Sequence, residues 1–137
     1  MKTINLPIIL ILFLVLGSCK KEDPKPGLNP DDLVGIWDVE SHRLEGSEQL
    51  NIVYLSLQYE FEPLNDGVGN FFLRYTDYQD YSGEWKGVYR VFQDSHQIEI
   101  LPDREGPILL DVTLDGDKIT LSGLFINGNT VTIAKKQ

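Results

Sequence analysis

The residues able to do chemistry are few and scattered. Cys19 is the only cysteine, set between an apolar run and a cluster of charges. The stretch Tyr75-Thr76-Asp77-Tyr78-Gln79-Asp80-Tyr81, with Trp85 soon after, interleaves aromatic rings with carboxylates. Such a pattern can stack on a sugar or ring and hydrogen bond its edges, or simply pack tyrosines on strand ends. Arg104, in Pro102-Asp103-Arg104-Glu105, could meet an anionic ligand or pair with its acidic neighbours. His42 and His96 fall in different segments, show no metal-binding spacing and read as surface residues. Glu60 and Glu62 lie two apart and read as a solvated pair on one strand face. Asp115-Gly116-Asp117 lacks the later ligands of a calcium loop and reads as a turn. Nucleophile elbow, phosphate loop and dinucleotide fingerprint are all missing. The sequence thus offers no metal, cofactor or catalytic residue, and the expectation is a binding protein rather than an enzyme. The candidate ligand contacts are Tyr75, Tyr78, Tyr81, Trp85 and Arg104.

Cys19 has a separate role. Lys2 gives a positive start, and Ile4 to Leu16 is an almost unbroken apolar run. At about 13 residues it matches a signal-peptide core of roughly 7–15 and falls short of the roughly 20 that span a membrane. It ends in Leu16-Gly17-Ser18-Cys19, small residues of the kind a signal peptidase needs. Leu-Gly-Ser-Cys resembles the lipobox of bacterial lipoproteins. The resemblance implies a diacylglyceryl group on the Cys19 thiol, cleavage just before it, and acylation of the new amino terminus. Each buried CH2 contributes about 0.8 kcal/mol, so two or three acyl chains make a durable anchor. Lys20-Lys21-Glu22-Asp23 resembles the export tag of lipoproteins in Bacteroidetes-type bacteria, which implies the outer face of the outer membrane. Residues 1–18 are therefore expected to be a signal peptide and residues 19–30 a lipidated flexible tether. Pro24, Pro26, Gly27 and Pro30 oppose helix there, and at about 3.1 Å per residue the tether reaches roughly 30 Å.

Charge narrows the partners. The chain of 137 residues carries a formal net charge of −9, and removing residues 1–18, whose one charged side chain is Lys2, makes it −10. So acidic a surface repels phosphate backbones and anionic lipid heads, which argues against nucleic acid and leaves the membrane contact to the lipid on Cys19. A single cysteine makes no internal disulfide.

The elements that must position any site read as strands. In Gln49-to-Pro63, Val53, Leu55, Leu57, Tyr59 and Phe61 alternate with a wetter face of Ile52, Tyr54, Ser56, Gln58, Glu60 and Glu62. The pattern recurs with Asn, Asp and Gly turns between. The expected strands are Val34–Arg43, Leu50–Glu62, Gly69–Tyr75, Ser82–Phe92, Gln97–Leu101, Ile108–Leu114, Lys118–Ile126 and Thr130–Lys135, with no helix. Consecutive antiparallel strands with short links predict an all-β, up-and-down meander of about eight strands in residues 31–137, closed into a small barrel so that no edge stays exposed. A two-sheet sandwich is the alternative.

Asp31-Asp32-Leu33-Val34-Gly35-Ile36-Trp37-Asp38-Val39 resembles the opening of lipocalin-like domains, with Gly-x-Trp on the first strand. Tyr59-Glu60-Phe61, Asn65-Asp66-Gly67, Gly83-Glu84-Trp85 and Leu121-Ser122-Gly123 extend the resemblance to secreted bacterial lipocalin-like lipoproteins. The family often stacks a late-strand Arg on that tryptophan; here only Lys135 and Lys136 are available. Gly35 and Trp37 share a face with Leu33 and Val39, so Trp37 is expected to plug one end of the barrel with Gly35 giving it room. The longer links, Leu44–Gln49, Thr76–Tyr81 and Pro102–Pro107, gather with Asn127–Asn129 at the other end. The expected function is a cell-envelope lipoprotein whose lipocalin-like barrel binds a small apolar or ring-bearing ligand at that mouth. The alternatives are a surface interaction module with a filled core, and a carbohydrate-binding accessory.

Lipidation is directly testable. A fatty-acid label fed to cells should mark the wild-type chain and miss Cys19→Ser; equal labelling of both would remove the anchor.

Overall fold

Alternation of apolar and polar residues sets which face of each strand turns inward, and turns of left-handed backbone at Asp66, Gly67, His96 and Gly116 reverse the chain between strands. The computed structural model describes residues 26–125 and 128–137. The expected signal peptide, Cys19 and tether residues 20–25 lie outside the described residues, as do Ile126 and Asn127 of the last hairpin turn. Strands β1 (Gly35–Leu44), β3 (Tyr54–Phe61), β4 (Gly69–Asp77), β5 (Ser82–Phe92), β6 (Gln97–Pro102), β7 (Ile108–Asp115), β8 (Lys118–Phe125) and β9 (Gly128–Lys136) follow one another antiparallel. β9 returns to pair with β1 from Trp37↔Lys136 to Leu44↔Thr130, which closes the sheet. The closed barrel is the expected architecture, with a two-residue strand β2 (Ser47–Glu48) added to the edge of β1.

β3 departs from expectation. It begins at Tyr54, not Leu50, because Leu50–Val53 form a turn in which the Ile52, Val53 and Tyr54 N–H groups all donate to the Gln49 carbonyl. The β3–β4 register then slips between Tyr54 and Ser56, a bulge that inverts the alternation. Leu57, Tyr59 and Phe61 are buried as expected, but Val53 is 43% exposed and Leu55 41%, and Tyr54 packs against the core from the face expected to be wet.

The segment before β1 is also a correction. Pro30–Leu33 form a single helical turn, α1, where proline was expected to oppose helix. Pro30 sits at its start, where a proline loses no hydrogen bond, and the Asn29 side chain accepts from Asp31 N–H at 3.2 Å. Ahead of it Leu28 is buried, and its N–H donates to the Gln93 carbonyl at 3.0 Å. The chain thus enters the barrel at the β5–β6 turn.

α1 stoppers that end. Leu33 is fully buried and its carbonyl accepts the Trp37 indole N–H at 2.8 Å. The Lys136 ammonium lies 5.2 Å from the Trp37 ring centre and donates to the Asp32 carbonyl. A lysine on the last strand thus covers the tryptophan from the position where the resemblance called for arginine. Gly35 has φ +132°, and a Cβ there would meet Lys136 at 3.0 Å, so the glycine leaves room for this cover. Below Trp37, Phe61 packs on Phe71 and Tyr89, with ring centres 5.3 and 5.1 Å apart, and Ile98, Ile100, Ile119 and Ala134 complete a filled half. The Tyr89 hydroxyl donates to the Glu62 carbonyl at 2.7 Å, and burial pushes its pKa up to about 12.

Trp37→Ala removes the stopper and its hydrogen bond together. It should destabilise the barrel by about 3–5 kcal/mol, read as a lowered denaturant midpoint; an unchanged midpoint would contradict the plug.

Candidate functional site

The other half of the barrel is built differently, and two bulges are the cause. In β1 the register with β9 slips between Val39 and Ser41. Trp37 and Val39 point inward before the slip; His42 and Leu44 do so after it. The bulge at the start of β3 likewise turns Tyr54 inward. These side chains border a cavity of about 440 Å³, a size typical of small-ligand sites. Leu57, Tyr59 and Leu73 line it toward the filled half, and Tyr75, Trp85, Phe125 and Thr130 line its walls. Leu44, Gln49, Val53 and Glu105 stand around its mouth, at the end opposite Trp37. Trp85 lies on Phe125 with ring centres 5.6 Å apart, and Tyr54 meets Tyr75 edge-on at 5.9 Å. Gly83 makes room for the Tyr75 ring, since a Cβ would come within 2.4 Å of it.

A short polar series crosses the cavity wall. His42 Nδ1 lies 2.8 Å from the Thr132 hydroxyl, and the buried Tyr59 phenol bears on the same hydroxyl. Burial raises the Tyr59 pKa, so the phenol stays protonated. Burial lowers the pKa of His42, opposed only in part by the negative charge of Glu48, so the imidazole is neutral near neutral pH. Among the described residues no Lys or Arg lines the cavity, and the ionisable lining is His42, three tyrosines and Glu105.

Glu48 repairs the wall that the β1 bulge opens. β1 pairs with β3 only as far as Asp38↔Gln58. Beyond that point the Glu48 carboxylate accepts from Ser41 Oγ at 2.6 Å, His42 N–H at 2.9 Å and Leu50 N–H at 3.0 Å. Burial would raise its pKa, but these hydrogen bonds together hold it below the usual carboxylate range.

The candidate contacts divide. Tyr75 and Trp85 line the cavity. Tyr78 and Tyr81 lie outside it, 52% and 62% exposed, with the Tyr78 hydroxyl bonded to the Asn51 carbonyl and the Tyr81 ring 6.4 Å from Tyr75. Arg104 borders a separate outer groove with Lys86 and Asp103. His96 stays at the surface, its Nε2 3.1 Å from the Pro26 carbonyl. His42 is the correction: it was expected at the surface, and the bulge brings it inside. Tyr54 was missed as a site residue because a second bulge inverts it, Tyr59 because it read as core, and Thr130 and Thr132 because threonines on a strand read as an outer face. The one available signal was the break in spacing after Val39, where the next apolar residue, Leu44, has the opposite parity.

The half-buried neutral histidine makes stability depend on pH. The folded state binds fewer protons than the unfolded chain between the lowered pKa and the usual 6.5, so His42 contributes stability above that value and the contribution is lost as pH falls below it. Unfolding free energies at about pH 7.5 and about pH 5 should differ more for wild type than for His42→Gln, and equal differences would place the imidazole in water.

No protein-family model matches the chain, and no curated protein matches it. Among solved structures, a redesigned β-barrel is 16% identical with a TM-score of 0.60, covering 79% of this chain and 94% of that one. A de novo designed fluorescence-activating β-barrel is 13% identical with a TM-score of 0.57, covering 79% and 96%. The fatty-acid-binding protein 1 of Echinococcus granulosus is 11% identical with a TM-score of 0.45, covering 77% and 98%. At these identities the likeness to the two designed proteins is one of fold, a small closed antiparallel barrel.

Proposed function

We propose that this chain is a cell-envelope lipoprotein, anchored through acyl chains on Cys19, whose barrel takes up a small, largely apolar or ring-bearing ligand. The observation that carries the binding role is the cavity of about 440 Å³ beside Trp85, Phe125, Tyr54 and Tyr75. Eight strands leave an interior that side chains can fill completely, so an aromatic-lined space with a mouth favours occupancy by a guest. The orientation fits an anchor. Pro26 and Leu28 lie at the stoppered end, by the β5–β6 turn, so a tether running from there would leave the mouth facing away from the membrane. The apolar lining favours a ring or lipid over an oligosaccharide.

A second reading, a surface interaction module, draws on Leu109, Leu124 and Val131, exposed apolar residues on the outer face of β7, β8 and β9. A thermal-shift screen of the full-length protein against lipids, aromatic metabolites and oligosaccharides separates the two. A ligand of the cavity should bind Trp85→Ala more weakly by about 1–2 kcal/mol and bind Tyr78→Ala unchanged. A ligand indifferent to Trp85 would place the site elsewhere, and no stabilising compound in any class would favour the interaction module.

A further inference from the structure

The cavity is not uniformly greasy, and its polar part is chemically specific. His42 is held by Thr132 through Nδ1. Its Nε2 has no partner among the described residues, yet no buried side-chain nitrogen or oxygen there is left unsatisfied, so Nε2 keeps accessible surface on a side chain that lines the cavity. A neutral imidazole whose Nδ1 faces a hydroxyl is free in tautomer, because a hydroxyl donates or accepts. With Thr132 donating to Nδ1, Nε2 carries a proton and donates; with Thr132 accepting, Nε2 accepts. A ligand hydroxyl finds a partner in either case, and a ligand carbonyl finds one in the first, with Thr132 donating to Nδ1 and Nε2 donating to the carbonyl.

An ionised group does not. Among the described residues the cavity wall has no guanidinium or ammonium. The one carboxylate among the described lining residues is Glu105 at the mouth; behind the wall Glu48, bonded to the backbone N–H of His42, adds a second negative charge, which Arg43 faces from the outside at 3.7 Å. A carboxylate brought here would lose water and gain no counter-charge, which is costly in a site of low polarity. Tyr54 and Tyr75 add flat apolar faces beside the imidazole, with the His42 and Tyr54 ring centres 6.3 Å apart.

We propose that His42, seated on Thr132, reads one uncharged oxygen of the ligand, so that the barrel selects neutral ring-bearing alcohols or ketones and rejects the matching carboxylic acids. The selection rests on the cavity being the binding site. It makes the chain a carrier or sensor of neutral molecules, and it assigns a specificity residue on a strand where alternation alone would put a surface side chain.

Three probes of one shape test it: acetonaphthone, its isosteric hydrocarbon isopropylnaphthalene, and naphthoate, all measured by equilibrium dialysis on the full-length protein near neutral pH. The ketone should bind at least about tenfold more tightly than either of the others. His42→Leu should erase the advantage of the ketone over the hydrocarbon while leaving hydrocarbon binding within about threefold, and Thr132→Val should reduce that advantage in part. If circular dichroism shows His42→Leu unfolded, His42→Phe replaces it, and the wild-type ranking decides independently of any variant. Naphthoate binding as tightly as the ketone, or ketone and hydrocarbon binding equally, would overturn the selection and leave the cavity as an apolar site. Binding of none of the three would overturn the cavity reading, and the selection with it.

Discussion

An eight-stranded barrel has room inside for its own side chains and little more. Every other property of this protein follows from how that narrow cross-section is spent along its length. Where Trp37, Phe61, Phe71 and Tyr89 point inward, their rings fill it and pack on one another. Toward the mouth, the inward positions of β9 hold Thr130 and Thr132, and β8 contributes Gly123 beside them. Small side chains on one wall, opposite Tyr54, Tyr75 and Trp85 on the other, leave space that no described residue reaches. The division into a stoppered half and a hollow half is thus a matter of side-chain volume on a continuous set of strands, not of separate modules.

The hollow half also needs its wall to bend away from the axis. A regular β1 would pair with β3 along its whole length and keep His42 outside. The bulge after Val39 instead turns β1 toward β2 and β9, and frees an edge that a main chain no longer covers. Glu48 covers it with a carboxylate, which accepts from two backbone N–H groups and a hydroxyl in place of a neighbouring strand. The same slip therefore makes the space, places the histidine in it, and creates the opening that an acidic side chain must close. Desolvation of His42 is a further product of that geometry, since a histidine left on the regular outer face would titrate in water.

Much of this is legible in the sequence alone. Alternation in β4 to β8 is clean, and the turns between those strands are rich in Gly, Asn and Asp, so strand order, hairpin links and closure could be read from spacing. Gly35 and Trp37 likewise declared the stoppered end, because an indole flanked by apolar residues of the same parity has only the interior to occupy. The site was legible in part. Tyr75 and Trp85 sit on regular strands, so their inward direction followed from their neighbours. Tyr78, Tyr81 and Arg104 sit in links, where no alternation fixes direction, and they lie outside the cavity. His42, Tyr54 and Thr132 were obscured for a different reason. A bulge shifts parity by one residue without leaving a residue type that marks it, and the threonines of β9 look like the outer face of an ordinary strand.

The pairing of β1 with β9 has a consequence for the order in which the molecule can form. Trp37 and Lys136 stand opposite each other across nearly the whole length of the domain, so closure is among the last contacts a growing chain can make. Until Gly128–Lys136 arrive, β1 and β8 each present a free edge, and the interior that becomes the cavity lies open along one side. Long-range pairing of this kind makes folding slow relative to helical proteins of the same size, and free edges invite pairing with other chains. The final strand therefore acts as a timer: before it docks the chain is an incomplete sheet, and only afterwards does it have an inside.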